Sequence, residues 1–202
     1  MSQSASASSK KHSGPKRNPD THRAIIDAAE HLLGAEGYLS FSLEKVALRA
    51  GVGKQTIYKW WGSKPALVLE VFHDRLLPPV RQYNGEVPYQ KFIKSTLLEF
   101  GKHLTRRDYN QAVICLLAEM HANPKLSELS RTSVFIPRLK YIHEGLDLAI
   151  KRGDILPDID PNIVTDELYG AIWYQVMIRQ EPVTTKFVGT LVDQVLAGIG
   201  AR

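Results

Sequence analysis

Hydrophobic residues repeat at helical spacing along almost the whole chain. The first stripe contains Ile25, Ala28, Ala29, Leu32 and Leu33. Asn18 and Pro19 precede this stripe, and Gly37 follows it. Asparagine is a common helix cap, proline is favoured at the first helical position, and glycine often ends a helix. The pattern therefore predicts a first helix from Pro19 to Gly37.

Three short helices are predicted to follow. Ser42 and Ser63 stand where capping side chains would begin the first and the last of them, and Gly51 stands where the first would end. Residues 54–61 form the helix between them, and the last helix leads to two consecutive prolines at positions 78 and 79.

Helical periodicity continues in the rest of the chain, over residues 88–106, 109–122, 125–152, 161–179 and 184–199. No segment alternates apolar and polar residues between hairpin turns, as a half-buried strand would. The sequence therefore predicts an all-α fold. Its N-terminal part is predicted to be a three-helix helix-turn-helix unit, because a tight glycine-containing turn at residues 50–53 joins two short helices.

The predicted helix at residues 54–61 has two chemically different sides. Ile57, Trp60 and Trp61 are predicted to turn inward at helical spacing. The opposite side is predicted to carry Lys54, Gln55, Tyr58 and Lys59. Glutamine can bond adenine, lysine can bond guanine or phosphate, and a tyrosine hydroxyl can donate to phosphate. Thr56 can contact either a thymine methyl or a phosphate, so this helix is a candidate for reading DNA.

Ser42 and Lys64 are further candidates for phosphate contacts. Each lies at the start of a predicted helix, and helix N-termini attract anions. Ordinary structural explanations remain open at this stage. The serines are suitable as plain caps, Tyr58 as the edge of a core, and the lysines as solvated charges.

Positive charge is concentrated in the first third of the chain. Residues 1–64 contain ten lysines and arginines against five acidic residues, whereas residues 65–202 contain sixteen of each. This asymmetry favours a polyanionic partner for the first third. Residues 1–18 are rich in serine and lysine and are predicted to be a disordered basic arm. Such an arm either reaches along DNA or only keeps the protein soluble.

Other classes of function find little support in the sequence. No apolar run is long enough to span a membrane, the N-terminus lacks a secretory signal, and the single cysteine fits a reducing compartment, so a cytoplasmic location is expected. Cys115 is interpreted as a small buried hydrophobe, with redox sensing as the alternative. His103, Glu119, His121 and His143 invite a metal interpretation, but the spacing matches no metal motif. Neither a metal, a cofactor nor an enzyme activity is predicted.

Residues 23–68 closely resemble the N-terminal DNA-binding domain of TetR-family transcriptional regulators. The resemblance rests on Ala28-Ala29, Gly37-Tyr38, Ser42, Ala50-Gly51-Val52, Thr56-Ile57-Tyr58, Trp60-Trp61 and Ser63-Lys64. Gly53 departs from the usual Ser or Thr, and Trp60 departs from the more common Tyr or His, although its indole N–H can still donate. The residues predicted to bind DNA are Ser42, Lys54, Gln55, Thr56, Tyr58, Lys59, Trp60 and Lys64.

The resemblance also implies an arm at residues 1–18, a DNA-binding domain at 19–64, and a helical ligand-binding and dimerisation domain at 65–202. In the family, the helices on either side of a Pro-x-x-Asp-Pro connection, here at residues 157–161, pair with those of a second copy. The interface is therefore expected at Arg138, Ile142, Leu146, Leu168, Ile172, Trp173 and Val176. The alternative is that these stripes face the core of their own chain.

The resemblance further implies a pocket for a small-molecule effector in the second domain. Candidate wall residues are Phe100, His103, Leu104, Leu116, Met120, Tyr141 and Trp173, with ordinary core packing as the alternative. The predicted function is a homodimeric repressor that binds a palindromic site in double-stranded DNA and is released by the effector. The alternative is an architectural DNA-binding protein, or an activator, without a ligand switch.

Overall fold

Ten α-helices account for most of the described chain. The computed structural model describes residues 18–199, apart from the side chains of residues 107–109 and 199. The helices are α1 (Pro19–Ser40), α2 (Leu43–Ala50), α3 (Lys54–Trp61), α4 (Lys64–Val71), α5 (Tyr89–Leu104), α6 (Arg107–Ala122), α7 (Pro124–Ser130), α8 (Ile136–Lys151), α9 (Pro161–Met177) and α10 (Thr185–Ile199). No strand occurs between residues 18 and 199, and the predicted all-α fold is confirmed. The predicted basic arm lies outside the described residues except for its last residue.

Local capping determines where the first four helices begin and end. Asn18, Ser42 and Ser63 each accept a hydrogen bond from a backbone amide two or three residues later in the chain. Gly51 ends α2 in the left-handed conformation, with a φ of 66°. The caps and stops predicted at these four positions are confirmed.

The regular part of α1 ends at Gly37, where the sequence predicts it, although the element extends to Ser40. A φ of 75° and a ψ of 169° at Gly37 bend and interrupt the helix, which then continues for one more turn. A Cβ atom at this position would lie 2.8 Å from Oε1 of Gln111 on α6. The backbone conformation at the bend therefore favours glycine, whereas the end of the exposed Gln111 side chain could move away from an added methyl group.

The segment predicted as one helix over residues 125–152 consists of three consecutive parts. A π-helical segment, Arg131–Phe135, separates α7 from α8, and a similar segment, Phe72–Leu76, extends α4. Gly153, with a φ of 79°, ends α8 as the sequence predicts. Within residues 18–199, no helix has both the length and the apolar character that a membrane crossing requires.

The N-terminal helices pack around a common core. α1 contacts α2 and α4, and α2 packs against α3 across the turn that Gly51 begins. Ile25, Leu33, Val46 and Ile57 are fully buried in this core. The predicted helix-turn-helix unit is therefore present, with α3 as its second helix.

The remaining helices form a second bundle that is continuous with the first. α5 packs against α9 and α10, and α8 packs against α9. α6 contacts α1 and α4, so it joins the two halves of the molecule. Buried apolar residues from both halves belong to one hydrophobic cluster.

The apolar stripe predicted as a dimer interface is largely buried within the single chain. Leu146, Leu168, Ile172 and Val176 are at most 4% exposed. Other helices of the same chain already cover these four residues, which favours the alternative that this stripe faces the core of its own chain. Helical periodicity identifies the buried side of a helix but not the element that covers it.

Candidate DNA-binding surface and effector cavity

The outer side of α3 is polar and exposed to solvent. Its exposed side chains are those of Lys54, Gln55, Tyr58 and Lys59. Ile57 anchors the inner side of the helix with no exposed surface, and Thr56 is half-buried at the boundary. The helix is therefore held from one side while the other side can enter a DNA groove.

Glu44 on α2 contacts two of the residues that were predicted to bind DNA. The Tyr58 hydroxyl donates to Oε1 of Glu44 at 3.2 Å, and Nζ of Lys54 lies 3.9 Å from the same oxygen. A hydrogen bond from its own backbone amide and the contacts with Tyr58 and Lys54 lower the pKa of Glu44. The charge of Glu44 in turn raises the pKa of Tyr58, which stays protonated. Glu44 thus reduces the positive charge of α3 in the DNA-free protein.

Lys64 connects α4 to the end of α1. Its Nζ donates to the carbonyl oxygen of Tyr38 at 2.6 Å and lies 4.2 Å from the centre of the Tyr38 ring. Burial lowers the pKa of Lys64. The Tyr38 hydroxyl donates to Glu119 on α6 at 3.3 Å. An ammonium group has three hydrogens, so Lys64 keeps donors for a phosphate beyond this internal bond.

Trp60 belongs to an aromatic cluster and not to the exposed side of α3. Its ring centre lies 5.6 Å from that of Trp61, on which the His22 ring of α1 stacks at 5.6 Å. Glu70 on α4 accepts the Trp61 indole N–H, and its other carboxylate oxygen lies 2.5 Å from Nε2 of His22. The cluster therefore ties α3 to α1 and α4. This packing also explains why the otherwise polar sequence of α3 ends in two tryptophans.

A cavity of about 340 Å³ lies between α5, α8 and α9. Its apolar wall contains Leu77, Phe100, Phe135, Ile142 and Trp173. Arg138, Thr165, Asp166 and Tyr169 are the residues with polar side chains on the wall. A smaller cavity of about 40 Å³ shares Phe100, Arg138, Ile142 and Tyr169 with it. The volume of the larger cavity is within the usual range for small-molecule sites.

Only some of the predicted pocket residues line these cavities. Phe100 and Trp173 line the larger one, and Tyr141 lines the smaller one. The other four predicted residues, His103, Leu104, Leu116 and Met120, line neither cavity. Leu104 and Leu116 are core residues with 2% exposure, so neighbouring helices already cover them.

Three residues predicted for the dimer interface line the larger cavity, and one of them, Trp173, was also predicted for the pocket wall. They are Arg138, Ile142 and Trp173. Sequence reasoning did not identify Glu44 or Tyr169 as site residues. The proximity of Glu44 to Lys54 and Tyr58 depends on how α2 packs on α3, and the position of Tyr169 depends on how α9 packs on α5. Among the described residues, no group of three or more His, Cys, Asp or Glu side chains has a metal-binding arrangement.

Two family models match the chain. The model of bacterial regulatory proteins of the tetR family matches residues 25–71. The model of the tetracyclin repressor-like C-terminal domain matches residues 93–195. The first match contains the helix-turn-helix unit, and the second contains the helices that surround the cavity.

Individual relatives agree with these matches. The uncharacterised HTH-type transcriptional regulator YdeS of Bacillus subtilis (strain 168) is 32% identical over 192 residues, which cover 93% of this chain and 94% of YdeS. The DNA-binding transcriptional repressor TetR of Mycobacteroides abscessus is 26% identical over 178 residues, which cover 86% of this chain and 90% of that protein. The crystal structure of the TetR family transcription regulator SCO0332 has a TM-score of 0.70 at 30% identity, and covers 89% of this chain and 98% of SCO0332.

All of these relatives are transcriptional regulators and not enzymes. The two matched models cover both halves of the described chain, and the relatives are similar over nearly its full length. On this evidence the chain belongs to the TetR family of DNA-binding transcriptional regulators.

Proposed function

We propose that the protein is a homodimeric transcriptional repressor that leaves a palindromic operator when a small molecule enters its second domain. In this proposal, residues 19–64 form the DNA-binding domain, and residues 65–202 form the domain that binds the effector and the second copy. The observation that carries the proposal is the exposed polar side of α3, held in place by buried Ile57. A relative that is named as a repressor supports the direction of regulation.

In the proposed complex, α3 lies in the major groove. Gln55 bonds an adenine edge, and Lys54 and Lys59 contact guanine or phosphate. Tyr58 exchanges its bond to Glu44 for a phosphate oxygen. Thr56 contacts a thymine methyl or a phosphate at the edge of α3.

The remaining predicted contacts hold the DNA backbone beside α3. Ser42 caps α2, whose N-terminal amides lie near a phosphate in this complex. Lys64, at the start of α4, contacts a phosphate in the same way. Trp60 contributes through packing, because its ring belongs to the cluster with Trp61 and His22.

The proposed dimer uses the exposed side of α9 in place of the buried stripe. Ile163, Gly170, Tyr174 and Ile178 share this side at helical spacing, and the three large apolar residues among them are 53–65% exposed. Half-buried apolar residues repeat similarly on α10, at Phe187, Leu191 and Val195. Two helices from each copy give a four-helix interface. A two-fold dimer places two α3 helices about 34–36 Å apart on a palindromic site.

The experiment for this proposal is selection of bound duplexes from a random pool, with the purified protein at low and at moderate salt. A palindromic consensus that persists at moderate salt is the expected result. Binding without a consensus, which disappears as salt rises, would favour the alternative of an architectural protein, because only phosphate contacts would then hold the DNA.

The sign of regulation needs a separate measurement on the selected operator. A reporter promoter that contains this operator is expected to be silenced by the wild-type protein and to be derepressed by a Gln55→Ala variant. Stimulation of the reporter by the wild-type protein would show an activator instead.

A further inference from the structure

Arg138 places a partly buried positive charge beside the larger cavity. The guanidinium donates from Nη2 to the carbonyl oxygen of Pro78 at 2.8 Å. No described carboxylate lies within 4.0 Å of it, although other arginines, such as Arg131 beside Glu128, form ion pairs. Burial lowers the pKa of Arg138 from its very high ordinary value. The group is still charged at neutral pH.

A charge in such a place is costly unless an anion accompanies it. A buried charge loses its hydration, and a single neutral carbonyl compensates only a part of that loss. A guanidinium carries five N–H donors in a planar fork that matches a carboxylate, and only one donor is used by Pro78. Arg138 therefore has the donors and the charge to bind an incoming anion.

Tyr169 supplies a second polar group on the same cavity wall. Both residues line the larger and the smaller cavity, so they stand where the two meet. The Tyr169 hydroxyl has no hydrogen-bond partner among the described residues. Burial raises the pKa of Tyr169 to about 12, so its hydroxyl is a donor at neutral pH.

The rest of the larger cavity is suited to an apolar ligand body. Phe100 presents its ring at 5.2 Å from the Tyr169 ring and at 6.0 Å from the Trp173 ring, both in edge-on arrangements. Leu77, which follows the π-helical extension of α4, and Phe135, which directly precedes α8, add to this apolar wall. An aromatic or aliphatic group would remove these surfaces from water.

We propose that the effector is an amphipathic carboxylate whose anionic group binds between the Arg138 guanidinium and the Tyr169 hydroxyl, with its apolar body against Phe100 and Trp173. This inference rests on the proposed function, because it takes the ligand of the second domain to be the effector that controls DNA binding. Two carboxylates lie nearby, Asp166 on the wall of the larger cavity and Glu99 on that of the smaller one. Asp166 repels an anion that lies beside it, whereas Glu99 is partly balanced by Arg81, whose Nη1 lies 4.0 Å from Oε2 of Glu99 on the wall of the smaller cavity. Within the larger cavity, the Arg138 end therefore favours the carboxylate.

Binding at this point reaches the DNA-binding domain through Pro78. Pro78 follows Leu77, which directly follows the π-helical extension of α4. A carboxylate that bonds the remaining donors draws the Arg138 guanidinium toward the cavity, which weakens its bond to the Pro78 carbonyl. Loss of that bond loosens the attachment of the α4 end to α8. The operator-bound and effector-bound arrangements of α4 would then differ in this contact.

The test compares acids with amides of the same shape by isothermal titration calorimetry, without DNA. The probes are 4-phenylbutyrate, hexanoate, octanoate and decanoate, each paired with its primary amide. The wild-type protein is expected to bind at least one acid about tenfold or more tightly than the matched amide. Equal affinity within every pair, a preference for the amides, or no binding by any acid would overturn the assignment.

Variants then locate the binding site. Arg138→Gln is expected to reduce the acid preference to about one, and Tyr169→Phe is expected to reduce it in part. Arg131→Gln, which removes an exposed arginine, is the matched control and should keep the full preference. Circular dichroism confirms folding, and Arg138→Lys replaces Arg138→Gln if the latter does not fold, with an expected loss of several-fold. An acid preference that persists in folded Arg138 variants would overturn the proposed site.

The two proposals fail in different ways. Acid binding at Arg138 that leaves operator binding unchanged would contradict the ligand switch but not the anion site. Release of the operator only by neutral compounds would contradict the anion site and leave the repressor function standing.

Discussion

Glu44 reduces the positive charge of α3, the proposed recognition helix, because its carboxylate contacts both Lys54 and Tyr58. The Glu44→Gln variant is expected to bind operator about three- to tenfold more tightly at low salt, since the repulsion between the Glu44 carboxylate and the DNA phosphates disappears. The gain should shrink as salt rises, and the preferred sequence should not change. Fluorescence anisotropy with an operator duplex at two salt concentrations measures both.

A suitable control for this variant is Glu128→Gln, which removes an exposed carboxylate from α7. It should leave DNA affinity unchanged. Weaker binding by Glu44→Gln would mean that Glu44 orients Tyr58 and Lys54 for DNA instead of restraining them.

Gln55 carries the predicted base recognition, because it is exposed on α3 and glutamine can bond adenine with two hydrogen bonds. The Gln55→Ala variant is expected to relax preference at one base pair in each half-site, at a cost of about 1–3 kcal/mol. Lys59→Ala is the comparison, since loss of a phosphate contact weakens all sequences alike and lowers the salt slope by about one. Repeating the random-pool selection separates the two effects. An unchanged consensus with Gln55→Ala would remove this residue from base recognition.

At the scale of single helices, the sequence predicts where a helix begins and ends. It does not predict which other helices pack against it. Asn18, Ser42 and Gly51 act on backbone groups within a few residues of themselves, so their roles follow from local sequence. The burial of Leu168 and the position of Arg138 beside the cavity depend on which helices of the chain pack together. A periodic stripe does not contain that information.

At the bend in α1, Gly37 affects both its own helix and the neighbouring helix α6. A Gly37→Ala variant is expected to lower the free energy of unfolding by about 1–3 kcal/mol, because its backbone conformation is almost restricted to glycine. The added methyl would also push against Gln111 of α6. Chemical denaturation measures the change.

The matched control for this variant is Gly189→Ala in α10, where a Cβ has open space. That variant should be unchanged or stabilised by about 0.5–1 kcal/mol. Equal stability of Gly37→Ala and the wild type would show that the bend is not required.

At the scale of the whole molecule, the proposed dimer would bring two DNA-binding domains together through the exposed side of α9. Ile163 is 55% exposed near the start of α9, where glutamate suits the positive end of a helix, so Ile163→Glu should preserve the monomer fold. In the proposed interface, the same change would bury an unpaired charge. We therefore expect sedimentation velocity to show a shift from dimer to monomer.

Operator binding should follow this shift in a defined way. Affinity for the full palindrome is expected to fall by at least about tenfold, whereas affinity for a single half-site should not change, because α3 is untouched. Ile114→Glu on α6 is the control, since Ile114 is 46% exposed on another helix and should leave the dimer intact. If Ile163→Glu remains dimeric and Ile114→Glu does not, the two copies meet through α6, and the spacing expected between the recognition helices must be revised.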